Sequence, residues 1–182
     1  HIHANVDMSV PKIYFAGTNK LWFAGGKFNR FYGTTRHFGL RKDDSPKYNK
    51  QKEIEYAPTC FMLINTECFN DVGIMDERFF VYYDDTDFVF RSVVKNKKKL
   101  LYVPDSCIWH KVSYSTGSDS DFGTYYRLRN RIFFAKKHNP YVFFFYITNL
   151  MYHFTVRNIK MIKNRKKWNL CLKAMRDGWS IN

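Results

Sequence analysis

Three carboxylates stand close together in the middle of the chain, where they could do acid–base or metal chemistry. Asp84, Asp85 and Asp87 lie within four positions, at the point where an aromatic-rich loop gives way to a helical pattern. Like charges this close repel, and a helix N-terminus offsets only part of that repulsion. A helix cap needs one acid, not three. The cluster therefore indicates a general-base or metal site or, more simply, helix N-terminal charge.

Short strands and a few helices must position these carboxylates. Alternation, capping and turn signals predict strands at residues 12–16, 21–24, 60–64, 100–103 and 107–110, the last two on either side of Pro104. They predict helices at residues 84–96, 122–138, 141–156 and 166–177, and a shorter one capped by Asn65 or Thr66 and ended by Gly73. Residues 29–55 read as a long loop. The expected fold class is α/β.

The charge of the chain is strongly basic and unevenly distributed. The 182 residues carry a formal net charge of +14. Residues 127–182 contain thirteen Lys and Arg but a single acid, Asp177. Such a balance points to anionic partners, either nucleotide phosphates, nucleic acid or an anionic membrane surface. The cluster of Asp84, Asp85 and Asp87 is therefore unusual in so basic a chain, which favours a specific role for it.

Composition excludes several classes of protein. Apolar residues make up 45% of the chain and aromatic residues 19%, which is enough for a core and excludes wholesale disorder. No run of eighteen apolar residues occurs, which argues against an ordinary transmembrane helix. The four cysteines form no CxxC pair, so we expect a reduced cytoplasmic setting in which each is a small core residue.

Four segments carry a resemblance to a known family. Residues 73–91 read GIMDERFFVYYDDTDFVFR, which resembles the acceptor-side motif of glycosyltransferase family two, in particular its bacterial rhamnosyltransferase-like branch. Three further elements match in the same order: Trp-x-x-Gly-Gly at residues 22–26, Pro-x-x-x-x-x-His at residues 104–110, and Tyr-x-x-Arg-Asn at residues 126–130. Each segment alone is weak evidence, whereas four in order are strong. The match covers about residues 11–140.

The resemblance implies a GT-A fold, with a mixed sheet and flanking helices, that transfers a sugar from a nucleotide donor with inversion. Asp85 then occupies the position of the general base and Asp84 supports it, because a positioned carboxylate can accept the proton of an attacking hydroxyl. The alternative for Asp85 is helix capping. Asp87 is assigned to the substrate side, where it orients the loop or caps the helix. Trp22, Gly25 and Gly26 belong to the substrate-binding element.

The same resemblance suggests how the donor diphosphate is held. His110 matches a position that can ligate a divalent cation, Mn²⁺ or Mg²⁺, and imidazole suits Mn²⁺ better. A structural role for this histidine is the alternative. One predicted helix carries Arg127, Arg129 and Arg131 beside Asn130. These arginines could present guanidinium groups to the diphosphate, or could form a solvated basic face. A second D-x-D, at Asp119 and Asp121, reads as loop polarity.

Two departures from the family pattern limit the resemblance. Residues 56–60 read YAPTC where the family has a small glycine, which affects the acceptor pocket. The strand–helix–strand nucleotide site and the metal-binding D-x-D that open GT-A enzymes have no counterpart before Pro11. We therefore expect residues 1–140 to be the acceptor-side part of a glycosyltransferase domain, lacking about 100 residues of a typical domain. Residues 141–182 form a helical basic and aromatic tail.

The tail suggests contact with a membrane surface. Residues 141–156 are aromatic and apolar, and residues 157–167 are strongly basic, a combination that suits the interface of an anionic bilayer. A helix that packs on the domain or on a second subunit is the alternative. The expected location is therefore the cytoplasmic face of the cell membrane, and the expected partners are a dTDP- or UDP-sugar and a glycan or lipid-linked acceptor of surface polysaccharide synthesis.

Two rival functions fit the composition. A nucleic-acid-binding module would use the basic charge together with the thirteen Tyr and eighteen Phe residues as a stacking platform. Against it, the acids cluster at the most informative motif and no nucleic-acid motif occurs, so nucleic acid is not an expected partner. A non-catalytic domain that kept the fold is the second rival.

Overall fold

The structure, a computed structural model, describes residues 6–30, 32–111, 120–139, 148 and 165–182. The chain divides into two compact units. Unit 1 comprises His1–Asn29, Thr35–Glu77 and Asp84–Val112, and unit 2 comprises Arg30–Thr34, Arg78–Tyr83 and Ser113–Asn182. The mixed α/β class predicted from the sequence is confirmed.

A mixed sheet forms the centre of unit 1. Its strands are β1 (Met8–Phe15), β2 (Leu21–Phe23), β5 (Lys52–Glu53), β6 (Leu63–Ile64) and β7 (Leu100–His110), and a separate pair is formed by β3 (Gly26–Asn29) and β4 (Thr34–His37). The long strand β1 runs parallel to β7 and antiparallel to both β2 and β6, while β5 lies antiparallel on the other edge of β7. Strands covered on both faces are apolar, and Met8, Val10, Ile13 and Leu100 are almost fully buried.

The predicted pair of strands around Pro104 is one strand. Residues 100–103 pair in parallel with Met8–Pro11, and pairing resumes at Cys107 opposite Lys12. Residues 104–106 therefore form an irregularity within β7. A proline cannot donate a hydrogen bond to the ladder and is tolerated at such a bulge. The expectation of two separate strands was wrong because the sequence shows the interruption and not the register on either side.

Two other expectations need correction. Residues 29–55 are not a single long loop, since they contain β4, a 3₁₀ turn at Pro46–Tyr48 and β5. These strands are short and largely polar, so apolar periodicity does not reveal them. Residues 60–64 are not a buried strand, because only Leu63–Ile64 pairs with β1, and Phe61 and Leu63 are about half exposed.

Two helices complete unit 1 as predicted, with one difference. Helix α1 (Glu67–Val72) ends at Gly73, whose φ of 76° lies in the left-handed region that glycine tolerates. Helix α2 (Asp84–Val89) continues as π-helix through Phe90–Lys95. Ser92 Oγ donates to the carbonyl of Phe88 at 2.9 Å, four residues back, and side-chain bonds of this kind compete with the regular helical ladder.

The described part of unit 2 contains the helices α3 (Asp121–His138) and α4 (Arg165–Ser180). Helix α3 agrees with the predicted helix at residues 122–138 to within one residue, whereas α4 continues three residues beyond the predicted end at residue 177. They pack through an apolar cluster of Leu128, Ile132, Ala135, Ala174 and Met175. Gly178 has no side chain where a Cβ would overlap the backbone carbonyl of Arg129, which permits the close approach of the helices. The predicted helix at residues 141–156 lies outside the described residues. In the described part of the chain, no helix combines the length and apolarity needed to cross a bilayer.

The four thiols are free, but they do not share one environment. Cys68 is buried, as predicted for a small core residue. Cys171 is half-buried, and Cys60 and Cys107 are exposed, so the core assignment was wrong for them. Cys60 belongs to the segment that is not a buried strand, and Cys107 lies on the part of β7 that follows its irregularity.

Candidate active site

Asp85 lies in the first turn of α2 and is held by its neighbours. Its Oδ1 accepts a hydrogen bond from the Thr86 backbone N–H at 2.6 Å and one from the Thr86 hydroxyl at 3.1 Å. The Thr59 backbone N–H also donates to this carboxylate. A short polar side chain at a helix start commonly bonds nearby backbone groups in this way. The carboxylate is thus fixed in orientation.

The electrostatic environment of Asp85 favours its protonated form. Desolvation by burial is the largest cause of a raised pKa, and the neighbouring charge of Asp84 adds to it. The hydrogen bonds from Thr86 and Thr59 act in the opposite direction because they stabilise the carboxylate. A carboxylate with a raised pKa binds a proton more strongly than an exposed one, which is the property required of a general base.

Asp87 has a structural partner in the same helix. Its side chain is completely buried, and Arg91 Nε donates to Asp87 Oδ2 at 2.8 Å, one turn further along. The guanidinium of Arg91 also donates to the carbonyls of Val72 and Ile74, the latter at 2.7 Å. Asp87 and Arg91 thereby attach the turn after α1 to α2. This arrangement gives Asp87 the role of orienting the local backbone.

Trp22 and His110 are brought together in unit 1, with a histidine that the sequence did not indicate. The ring of Trp22 meets the ring of His110 edge-on, with centroids 4.7 Å apart, and that of His37 at 5.0 Å. His37 Nδ1–H donates to the Trp22 carbonyl at 3.1 Å. Burial lowers the pKa of both histidines, so both imidazoles are neutral at neutral pH.

The two glycines of the Trp-x-x-Gly-Gly element are buried in the packing of unit 1. Gly25 has a φ of 99°, which side-chain-bearing residues rarely adopt. A Cβ on Gly26 would meet the carbonyl oxygens of Tyr56 at 2.8 Å and Arg36 at 3.0 Å. Both positions therefore require glycine for backbone packing. Their assignment to substrate binding stays a prediction.

The segment before the acidic cluster has an unusual backbone. In unit 2, Phe80, Tyr82 and Tyr83 have φ values of 64°, 60° and 65°, although none is glycine. Left-handed conformations cost about 1–2 kcal/mol per residue for such side chains. Strain of this kind persists only where the surroundings hold it, and it is common near functional sites. The strained segment leads directly into Asp84 and Asp85 in the chain.

Asn130, on α3, provides much of what holds the strained segment. Its side chain is completely buried, and its amide nitrogen lies 2.7, 2.6 and 2.9 Å from the carbonyl oxygens of Phe79, Val81 and Tyr82. An amide has two N–H groups, so the three carbonyls share two donors. Asn130 was assigned to substrate binding from the sequence. In the structure its amide group is occupied by this backbone.

The arginines of α3 also bond to backbone and rings within unit 2. Arg129 Nη1 donates to the carbonyl of Arg78 at 3.1 Å and to Asn130 Oδ1 at 2.7 Å. Arg127 lies over the ring of Tyr82, and Arg131 donates to the carbonyl of Tyr32. The pattern of alternating arginines therefore supports the segments that line α3. A role in diphosphate binding would have to share guanidinium groups already engaged in these contacts.

The described residues do not assemble a complete metal site. Within the described ranges, no group of three or more His, Cys, Asp or Glu side chains is placed to hold an ion. A neutral His110 could coordinate an ion through one ring nitrogen, but a single imidazole ligand is not enough to form a site for Mn²⁺ or Mg²⁺. Asp121 begins α3, and Asp119 lies outside the described residues. The metal expectation stays a prediction.

Comparisons with known proteins do not extend the resemblance. The chain matches no model of a known protein family, and no curated protein matches it.

Proposed function

We propose that this chain takes part in inverting glycosyl transfer, with Asp85 as the general base. The observation that carries the proposal is the environment of that carboxylate: desolvated, close to the charge of Asp84, and fixed by Thr86. A helix cap has no need of desolvation. The order of the four motifs supports the same reaction class and a GT-A fold of the rhamnosyltransferase-like branch.

The proposed reaction forms one bond, breaks one bond and transfers one proton. The oxygen of an acceptor hydroxyl attacks the anomeric carbon of a nucleotide-sugar, and the bond from that carbon to the diphosphate oxygen breaks on the opposite face. The hydroxyl proton moves to Asp85, and the nucleoside diphosphate leaves. The donor is a dTDP- or UDP-sugar, and the acceptor is a glycan or a lipid-linked glycan. A divalent ion bound to the diphosphate would neutralise its charge, and His110 is the residue that could contact it.

A panel of nucleotide-sugars tests the proposal. The protein, in the full length that its gene encodes, is incubated with UDP- and dTDP-sugars and with lipid-linked or glycan acceptors, and free nucleoside diphosphate is measured with and without acceptor. We expect acceptor-dependent release, and a product whose anomeric configuration is inverted. Asp85→Asn should lower the rate by about 10²–10⁴-fold, the contribution of a general base.

A matched variant controls for loss of charge alone. Asp105→Asn removes an exposed carboxylate of unit 1 and should leave turnover within about twofold of wild type. If Asp85→Asn retains more than a tenth of wild-type turnover, the base assignment is wrong. If no donor of the panel is turned over with any acceptor while the protein binds single-stranded DNA in a salt-dependent manner, the reaction class is wrong and the nucleic-acid alternative is supported.

A further inference from the structure

A cleft in unit 1, apart from Asp85, has the composition of a ligand site. It has a volume of about 410 Å³, within the range of small-molecule sites, and is lined by Tyr14, Asn19, Asp43, Asp44, Cys107 and Trp109. Cys107 and Trp109 lie within the motif at residues 104–110, but neither the resemblance nor the proposed reaction assigns a role to any residue of this lining. The lining combines two aromatic rings with amide and carboxylate groups.

The aromatic part of the cleft is a fixed platform. Tyr14 of β1 and Trp109 of β7 are register partners, and their rings stack with centroids 5.6 Å apart and planes inclined by 20°. The Tyr14 hydroxyl donates to Asp44 Oδ2 at 2.6 Å, which holds the smaller ring in place. Trp109 is nevertheless 58% exposed. An indole that stacks on a neighbouring ring and is still open to solvent offers apolar area to a ligand beside the polar groups of the cleft.

The cleft lies on the opposite face of the sheet from the ring of His110. Successive side chains along a strand point to opposite faces, and both strands are regularly paired from Lys12 and Cys107 onwards. Cys107 and Trp109 therefore share one face with Lys12 and Tyr14, whereas His110 points the other way to meet Trp22. The cleft is thus separate from the Trp22 and His110 cluster.

The charges around the cleft are balanced. Lys12, which is 4% exposed, donates to Asp44 Oδ2 at 2.8 Å, and Lys20 donates to Asp43 at 2.6 Å. Each carboxylate therefore has its own ammonium partner. A phosphate would meet two carboxylates, and a cationic ligand would have to displace a lysine. A neutral ligand with several hydroxyl groups meets neither obstacle, since it can bond to carboxylate and amide oxygens as they stand.

We propose that this cleft binds a neutral sugar ring of a glycan. The apolar C–H face of a pyranose would stack on Trp109, and its hydroxyls would donate to Asp43 and exchange hydrogen bonds with Asn19. The site goes beyond the proposed transfer reaction and does not depend on it.

The indole N–H signals of the chain provide a direct test. The sequence has four tryptophans, so a ¹H–¹⁵N spectrum of the protein contains four indole signals, and Trp109→Phe identifies the one from the cleft. Titration with methyl α-L-rhamnopyranoside, methyl β-D-glucopyranoside and methyl β-D-galactopyranoside should shift the Trp109 signal in a saturable manner for at least one sugar. The Trp179 signal, from an exposed indole of unit 2, should not move.

Two variants separate binding from folding. Trp109→Ala should weaken the preferred sugar by about tenfold or more, measured by ligand-observed NMR, because aromatic contacts of this kind contribute about 1.4 kcal/mol or more with their buried area. Trp179→Ala removes another exposed indole, one that does not line the cleft, and should leave the affinity unchanged. Equal affinities for wild type and Trp109→Ala would overturn the proposal. So would the absence of any sugar-induced shift, or a Trp109 signal that responds only to choline or to inorganic phosphate.

Discussion

Replacing Asn130 by aspartate tests whether one buried amide holds the strained segment before the acidic cluster. The change keeps the shape of the side chain and removes both N–H donors, so a carboxylate faces the carbonyl oxygens of Phe79, Val81 and Tyr82. Loss of the two N–H donors leaves buried carbonyl oxygens without a partner and costs about 2–6 kcal/mol, at about 1–3 kcal/mol for each donor removed. The total stability of a domain is only about 5–15 kcal/mol.

The expected loss of stability can be measured globally by calorimetry and locally by limited proteolysis. In calorimetry, a destabilisation of about 3 kcal/mol should lower Tm by about 6–12 °C for a chain of this size. In limited proteolysis, chymotrypsin should cleave Asn130→Asp faster after Phe80, Tyr82 or Tyr83, because the three left-handed residues relax once their carbonyls are released.

An exposed asparagine of α4 supplies the control. Asn169→Asp makes the same chemical change at the surface and should alter stability by no more than about 0.5 kcal/mol. The Asn130 amide does not hold the segment if Asn130→Asp melts within about 2 °C of Asn169→Asp, or if the cleavage pattern is the same for both variants. In either case the strained backbone is held by other contacts.

Three further changes should have distinct outcomes. Asp85→Asn should raise Tm at neutral pH while it removes transfer, because a raised pKa means that ionisation of this carboxyl opposes folding. The gain in Tm should shrink as the pH falls towards the usual aspartate range near about pH 4. A Tm that does not rise would contradict the desolvation of Asp85. Gly178→Ala should destabilise unit 2 by about 1–3 kcal/mol, because the added methyl group overlaps the Arg129 carbonyl. Ser180→Ala, also on α4, should not destabilise it. Equal unfolding midpoints of the two variants in urea would argue against close packing of α3 and α4 at Gly178. Removal of four basic charges at the start of α4 and just before it should release the protein from anionic vesicles in co-sedimentation at low salt. The changes are Lys163→Gln, Arg165→Gln, Lys166→Gln and Lys167→Gln. If vesicle binding is the same with and without them, the tail does not bind membranes through these charges.

Elements with strong local signals could be predicted from the sequence. Helices α1 and α3, strand β2 and the start of α2 were predicted closely from local signals, whereas β1 begins four residues before the predicted Lys12 and α4 ends three residues after the predicted Asp177. The tight carboxylate spacing predicted a general-base or metal site at Asp85, and that assignment stays a prediction, with a raised pKa as the property in its favour. The close predictions succeed because propensity, capping and charge act within a few residues.

Features that depend on distant partners could not be predicted. The short strands β4, β5 and β6 form because another strand is available, and nothing in their own composition requires them. The amide of Asn130 and the guanidinium of Arg129 look like ligand-binding groups in isolation, yet their partners are carbonyls about fifty residues away. His37 and Tyr14 gained their roles in the same manner. Their neighbours come from other strands and loops, so local pattern gives no sign of them.

The parallel pairing of β1 with β7 has a consequence for how unit 1 folds. Met8 lies opposite Leu100, so the central contact of the sheet closes a loop of about ninety residues. Contacts of high sequence separation are entropically costly to close and slow the folding of the domains that contain them. During synthesis, β1 leaves the ribosome long before its main partner and can pair only with β2 and β6 on one edge. Its other edge stays open until β7 emerges, and that interval is when unit 1 is most exposed to aggregation through a free strand.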